Sequence, residues 1–137
     1  MKIEHIGIAV RSLEVSIPLY SRLLGVPCYK TEEVGSEGVI TAFFAAGEGK
    51  VELLEDNGAS GVISRYIDKK GEGIHHIAFA VTDIWAEMAR LKAEGFELLQ
   101  DEPKRGADNK LVCFVHPKSA NGVLVELCQD AGELMGS

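Results

Sequence analysis

The most constraining feature of this sequence is a short apolar string that occurs twice. KIEHIGIAV at 2–10 is echoed by GIHHIAFAV at 73–81, and a histidine, His5 or His76, stands at the same place in each string. Both strings are β-rich, and each leads into a helical pattern that a glycine ends, Gly25 or Gly95. A strand and helix that recur together predict a fold built from two copies of one module.

The order of the later elements supports this duplication. In the first half, three β-type strings follow the helix, separated by glycine-rich turns: CYKTEEV, GVITAFFAA and KVELLE. In the second half, the corresponding strings are FELLQ, KLVCFVH and VLVELCQ, with a turn-rich DEPKRGADNK after the first of them. Each half is therefore predicted to have the element order βαβββ.

The spacing of matching residues indicates where the modules lie. His5 and His76 are 71 residues apart, whereas Glu52 and Glu126, in the two closing strands, are 74 residues apart. Such similar offsets are typical of a duplicated module with a small loop insertion. We predict one domain over 1–130, composed of modules at about 1–70 and 73–130 and followed by a C-terminal tail at 131–137.

Composition and charge exclude several classes of partner. The formal net charge is −7 and the chain has no run of lysine and arginine, so a nucleic-acid or membrane-surface partner is not expected. No apolar run approaches the roughly 20 residues of a membrane span, and the N-terminus is strand-like rather than leader-like. Three cysteines without CxxC spacing favour reduced thiols, and we expect a cytoplasmic protein.

Side-chain alternation places each histidine on a face of its own. Successive side chains of a strand point to opposite sides, so His5 shares a face with Gly7, and His76 shares a face with Ala78. The opposite face of each strand is apolar and is expected to pack against helices. Small residues beside a histidine leave room for a ligand.

Glu52 and Glu126 each interrupt an apolar closing strand. A carboxylate buried in such a run is costly unless it is paired or bound to a cation. If the modules pair about a pseudo-two-fold axis, His5, His76 and both glutamates converge in a shared cup. Two imidazoles and two carboxylates suit a divalent ion such as Co²⁺, Mn²⁺, Ni²⁺, Fe²⁺ or Zn²⁺. Each residue alone could be a hydrogen-bonded core histidine or a solvated glutamate, but the duplication of all four favours the metal.

These strands, with a glutamate closing each half, resemble the vicinal oxygen chelate superfamily. GEGIHHIAFAV, DEPKRGA and above all HPKSANGVLVELCQ resemble its methylmalonyl-CoA epimerase branch. The resemblance implies an α+β fold in which two tandem βαβββ modules form a curved mixed sheet around a central metal-binding cup. It also implies interconversion of (2R)- and (2S)-methylmalonyl-CoA by α-proton transfer, one divalent metal ion with Co²⁺ placed first, an acyl-CoA substrate and a homodimer.

The resemblance implies roles for some residues and leaves one role open. Glu126 is a candidate both for the metal and for proton transfer. Thr41 stands in EGVITAFFA where some epimerases have a glutamate, and a threonine cannot take that proton at neutral pH. The second group is therefore Glu52, a water on the metal, another side chain, or solvent acting with Glu126. The cations for the CoA tail, which could equally be solvated turn residues, are Lys118, Lys104 and Arg105.

Two other functions are compatible with this fold. A glyoxalase I-type lactoylglutathione lyase would use the same four ligands, but the closing motif HPKSANGVLVEL differs from the glyoxalase form and no glutathione carboxylate clamp is evident. A non-catalytic binding protein of the same fold would need the cup but no metal. The presence of all four candidate ligands argues against that alternative.

Overall fold

The computed structural model describes residues 1–58 and 61–132 and divides the chain into two compact units. The N-terminal unit comprises His5–His75, and the C-terminal unit comprises Met1–Glu4 together with the chain from His76 onward. Of the predicted C-terminal tail, residues 133–137 lie outside the described residues.

The N-terminal unit contains the first βαβββ module and a second helix. Its elements are β1 (Lys2–Ala9), of which residues 5–9 fall in this unit, α1 (Leu13–Leu24), β2 (Cys28–Val34), β3 (Val39–Ala46), β4 (Gly49–Asp56) and α2 (Val62–Lys70). The strands lie in the order β2-β3-β4-β1. β1 runs parallel to β4, whereas β3 is antiparallel to both β2 and β4.

The C-terminal unit repeats this arrangement. Its elements are β5 (Gly73–Ala80), of which residues 76–80 fall in this unit, α3 (Ile84–Ala93), β6 (Lys104–Arg105), β7 (Lys110–Val115) and β8 (Val125–Asp130). The strands lie in the order β6-β7-β8-β5, with β5 parallel to β8 and the other pairs antiparallel. The predicted α+β class and the double βαβββ order are confirmed.

The first helix of each module begins at a side-chain cap, and α1 ends at a glycine. The Ser12 hydroxyl accepts a hydrogen bond from the Val15 N–H at 3.3 Å, and the Asp83 carboxylate accepts one from the Ala86 N–H at 3.1 Å. Gly25, at φ 73°, ends α1 in the left-handed conformation that glycine adopts without strain. Within the described ranges, no helix is both long and apolar enough to cross a bilayer.

Each helix covers one face of its own sheet. In the N-terminal unit, Leu13 packs with Ala42, Phe44 and Leu53, whose side chains share one side of the sheet. In the C-terminal unit, the core on the helix side consists mainly of Ile84, Met88, Leu91, Leu111, Cys113, Val115 and Leu127. The alternating residues of these strands project from the other face, which carries the candidate site residues.

One strand was predicted at the wrong place. The segment FELLQ forms no strand and contributes only an isolated bridge between Leu98 and Val115. The edge strand is instead Lys104–Arg105, within the segment predicted to be turn-rich. The physical reason is that β7 is bonded irregularly here: the Gln100 side-chain oxygen accepts from the Phe114 N–H at 2.8 Å, so a side chain takes the position of a regular ladder bond.

Candidate metal and proton-transfer site

In the N-terminal unit, His5 and Glu52 form a buried pair. The His5 Nε2 and Glu52 Oε1 atoms are 3.2 Å apart, and both side chains are at least nine-tenths buried. The pairing follows from the sheet register, because β1 and β4 are parallel and Glu52 lies opposite Gly7, two residues beyond His5. The glycine has no side chain to separate the imidazole from the carboxylate.

In the C-terminal unit, His76 and Glu126 form the equivalent pair. The His76 Nε2 and Glu126 Oε1 atoms are 3.0 Å apart, and both side chains are again at least nine-tenths buried. Glu126 lies opposite Ala78, two residues beyond His76 on the parallel strand β5. The two units therefore repeat the same register, with similar distances and similar burial, at the positions that the sequence offsets matched.

The geometry of each pair fits two ligands of one cation. Two donor atoms at about 2.1 Å from an ion, at angles between 90° and 109°, are about 3.0–3.4 Å apart. The observed separations of 3.2 and 3.0 Å fall in that range. An imidazole–carboxylate hydrogen bond gives a similar distance. The argument for a metal therefore depends on the donor atoms, because one nitrogen and one oxygen are ligands that suit borderline divalent ions.

A phenylalanine lies beside each glutamate. Phe43 on β3 is the register partner of Glu52, and Phe114 on β7 is the register partner of Glu126. Phe114 also meets the His76 ring edge-on, with the ring centroids 6.1 Å apart. These aromatic walls keep water from the carboxylates, which strengthens any charge interaction made there.

Thr41 occupies the same face of the N-terminal unit but brings no carboxylate. Its side chain is buried, and its hydroxyl donates to the backbone carbonyl of Glu32 at 3.3 Å. A hydroxyl that is engaged in this way does not act as a base at neutral pH. This geometry agrees with the expectation that the second proton-transfer role does not fall to Thr41.

The three cations suggested for the CoA tail lie in different local environments. Lys104 lies opposite Val112, on the same face of the sheet as Glu126. Arg105, one residue on, faces the other side, and its guanidinium donates to Asn109 at 2.6 Å.

Lys118 lies in the 3₁₀ turn Pro117–Ser119 and is exposed. Its Nζ atom is 2.9 Å from a carboxylate oxygen of Glu97. The hydrogen bond from the Lys118 ammonium lowers the pKa of the exposed Glu97 carboxyl. Lys118 therefore has an acidic partner on the protein surface.

The sequence reasoning did not select two lysines on the face of the His5–Glu52 pair. Lys50 is the register partner of His5, and Lys30 is the register partner of Phe43. Strand alternation alone predicts that Lys50 lies on the face of Glu52, because Lys50 precedes Glu52 by two residues. Lys30 was harder to place, because an irregularity between Cys28 and Lys30 shifts the register of β2.

Comparison with known proteins identifies the family. Residues 4–114 match the Glyoxalase/Bleomycin resistance protein/Dioxygenase superfamily. The ethylmalonyl-CoA/methylmalonyl-CoA epimerase of Cereibacter sphaeroides is 39% identical over 130 residues, which cover 93% of this chain and 97% of that protein.

Solved structures give the same result. The methylmalonyl-CoA epimerase of Mycobacterium tuberculosis is 34% identical, with a TM-score of 0.93 over 99% of this chain and 92% of that one. A variant of the Streptomyces coelicolor methylmalonyl-CoA epimerase, solved in complex with 2-nitronate-propionyl-CoA, is 34% identical, with a TM-score of 0.88 over 96% of this chain and 99% of that one. The resemblance inferred from the sequence is confirmed: this chain belongs to the Glyoxalase/Bleomycin resistance protein/Dioxygenase superfamily, in which these relatives are methylmalonyl-CoA epimerases.

Proposed function

We propose that this chain is a metal-dependent epimerase that interconverts (2R)- and (2S)-methylmalonyl-CoA. The observation that carries the proposal is the pair of equivalent buried His–Glu contacts, one in each unit. The relatives named methylmalonyl-CoA epimerase supply the substrate class, and one of them was solved with an acyl-CoA analogue. The two lines of support are independent, because the first rests on geometry and the second on likeness.

One divalent ion is proposed to be shared by both pairs. His5 and Glu52 would hold it from one unit, and His76 and Glu126 from the other. When bound, the ion supplies Lewis-acid stabilisation of the negative charge that develops on the thioester oxygen as the C2–H bond breaks. The nitrogen and oxygen donors suit Co²⁺, and also Mn²⁺, Ni²⁺, Zn²⁺ and Fe²⁺.

Glu126 is proposed to move the proton on one side of the substrate. It takes the proton from C2, the electron pair of the C–H bond passes into the enolate, and a proton is returned to the opposite side of C2. A carboxylate has two oxygens, so Glu126 can serve as a ligand beside His76 through one oxygen and take the proton on the other. Burial favours this role because it removes competing water.

The return of the proton needs a second group. Glu52 is the equivalent carboxylate of the other unit, so it is the first residue to test for this role, ahead of solvent. Its distance to His5 and its burial match those of Glu126.

Fewer cations are proposed to bind the CoA tail than the sequence suggested. Lys104 is retained as a phosphate-binding candidate because it shares the face of Glu126. Arg105 and Lys118 are proposed only at the periphery, since one faces the other side of the sheet and the other pairs with Glu97. The resemblance further predicts a homodimer, which light scattering in solution would test.

The decisive experiment is hydrogen exchange at C2. The metal-loaded protein, incubated with (2R)-methylmalonyl-CoA in deuterated water, should incorporate deuterium at C2 and yield both epimers. A matched incubation with methylglyoxal and glutathione should yield no lactoylglutathione. If exchange and epimerisation are both absent while lactoylglutathione appears, the chain is a glyoxalase; if none of the three occurs, the catalytic proposal is wrong.

A further inference from the structure

The N-terminal unit carries two ammonium groups beside one aromatic ring. The Nζ atoms of Lys30 and Lys50 lie 5.7 and 5.9 Å from the centroid of the Phe43 ring. The ring is 2% exposed, whereas both lysines are half-buried. Ammonium groups at this distance are held by the ring quadrupole, which positions them without cancelling their charge.

Both lysines project from the face that carries the His5–Glu52 pair. Lys50 is the direct register partner of His5, so their Cα atoms are separated by about one strand spacing of 4.8 Å. Lys30 is the register partner of Phe43, and Phe43 is in turn the partner of Glu52. Phe43 borders Glu52, which is a proposed metal ligand. This face therefore places one ammonium group on each side of the Phe43 ring.

The two lysines differ in their position on this face. Lys30 lies 3.4 Å from a carboxylate oxygen of Glu32, at a side chain that is 39% exposed. Lys50 precedes Glu52 by two residues on β4 and borders His5 on the neighbouring strand. Both ammonium groups therefore lie on the face of the proposed metal ligands His5 and Glu52, where an anionic ligand would meet them.

We propose that Lys30 and Lys50 bind the free carboxylate of the acyl group of the substrate, an inference that rests on the proposed epimerase function. Lys50 supplies the main contact because it is the register partner of His5, and Lys30, which also contacts Glu32, supplies the weaker one. A carboxylate held there fixes C2 between the thioester and an anchored anion, so that the C–H bond is presented in one orientation. The lysines would thus select a malonyl-type acyl group over a simple acyl group.

The position on the sheet favours the carboxylate over the CoA phosphates. The substrate carboxylate is one bond from C2, where the proton is removed, whereas the phosphates are separated from the thioester by the whole pantetheine arm. Lys50 is beside His5, so it is placed for the reacting end of the ligand. Lys104, on the other unit, remains the candidate for the phosphates.

Binding of three ligands separates the two sources of negative charge. Methylmalonyl-CoA has both the carboxylate and the phosphates, propionyl-CoA lacks the carboxylate, and CoA retains only the phosphates and the arm. By calorimetry, the wild-type protein should bind methylmalonyl-CoA more tightly than propionyl-CoA. Lys50→Gln should weaken methylmalonyl-CoA binding about ten- to a hundredfold, the loss expected for a charge-assisted hydrogen bond, and Lys30→Gln should weaken it less.

Neither change should alter the Kd for propionyl-CoA or CoA by more than about twofold. Lys70→Gln, at an exposed lysine of α2, is the matched control and should leave all three affinities unchanged. Lys50→Arg retains the positive charge and should retain most of the preference for methylmalonyl-CoA, which guards against a loss caused by misfolding. Equal weakening of all three ligands by Lys50→Gln would assign the lysines to the phosphates and overturn the proposal, as would no change at all.

These measurements do not depend on turnover. If the wild-type protein failed to exchange the C2 proton but the lysine variants still lost the preference for methylmalonyl-CoA, the epimerase proposal would fall and the carboxylate site would stand as a binding site. If exchange occurred while the preference was unaffected by both variants, the epimerase proposal would stand and the carboxylate site would fall.

Discussion

The two units share a framework and differ in what surrounds it. Each has a histidine on its first strand and a glutamate on the neighbouring parallel strand, opposite the residue two positions after the histidine. Each also has a phenylalanine opposite the glutamate. Around this framework the N-terminal unit places charge, with Lys50 two residues before its glutamate; at the equivalent position the C-terminal unit has Leu124.

The same contrast extends across the neighbouring strands. Thr41 in the N-terminal unit corresponds to Val112 in the C-terminal unit, since each lies two residues before the site phenylalanine. Val112 packs with Ala78 and Cys128 in a small apolar cluster. The two units therefore share the four proposed metal ligands and differ in the residues that surround them.

The largest effect is expected from substitution of the histidine that the two units share. His5→Ala and His76→Ala each delete one imidazole from a buried pair, so each should lose the metal and reduce C2 exchange by about 10³-fold or more. Metal content is measured by elemental analysis and exchange by mass spectrometry. Similar losses from both changes are expected, because the pairs are equivalent; a variant that kept full metal occupancy would contradict the four-ligand proposal.

The next effect separates the roles of the two glutamates. Glu126→Gln keeps the size of the side chain but removes the base, so kcat should fall by about 10²- to 10⁴-fold. Glu52→Gln shows whether the equivalent carboxylate shares this function. The measurement is the initial rate of deuterium uptake from each epimer separately; normal turnover by Glu126→Gln would exclude it as a proton-transfer group.

A smaller effect compares the helix starts of the two modules. Ser12→Ala and Asp83→Ala each remove a side-chain oxygen that accepts a backbone N–H of the first turn. Each should lower the free energy of unfolding by about 1 kcal/mol in urea titrations. Metal content and exchange rate per folded molecule should not change, because both caps lie on the helix side of their sheets.

The smallest effect concerns the end of β4. The backbone N–H groups of Gly58 and Ser64 lower the pKa of the Asp56 carboxyl below its usual 3.8. A lowered pKa in the folded state means that Asp56 stabilises the protein at neutral pH and that this contribution is lost as the pH falls through the folded-state pKa. The difference in unfolding free energy between the wild type and Asp56→Asn should therefore shrink below about pH 4; a difference that stayed constant would contradict it.

Much of the site was predictable because alternation in strands is a strict rule. The parity of His5, Glu52, His76 and Glu126 and the two offsets were sufficient to predict that these four residues lie on matching faces, and the structure places His5 beside Glu52 and His76 beside Glu126. The short edge strand β6 was not predictable, since two residues carry no periodicity. Lys30 was missed because a register irregularity in β2 changes which face it takes, and that irregularity has no clear mark in the sequence.

The central claim is that two equivalent His–Glu pairs serve one ion and one proton-transfer reaction. The most direct test titrates the metal-free protein with Co²⁺ and follows deuterium uptake at C2 of methylmalonyl-CoA at each addition. We expect uptake to rise in proportion to added metal and to level off at one equivalent per chain. Saturation at two equivalents, or uptake that ignores the metal, would contradict the account.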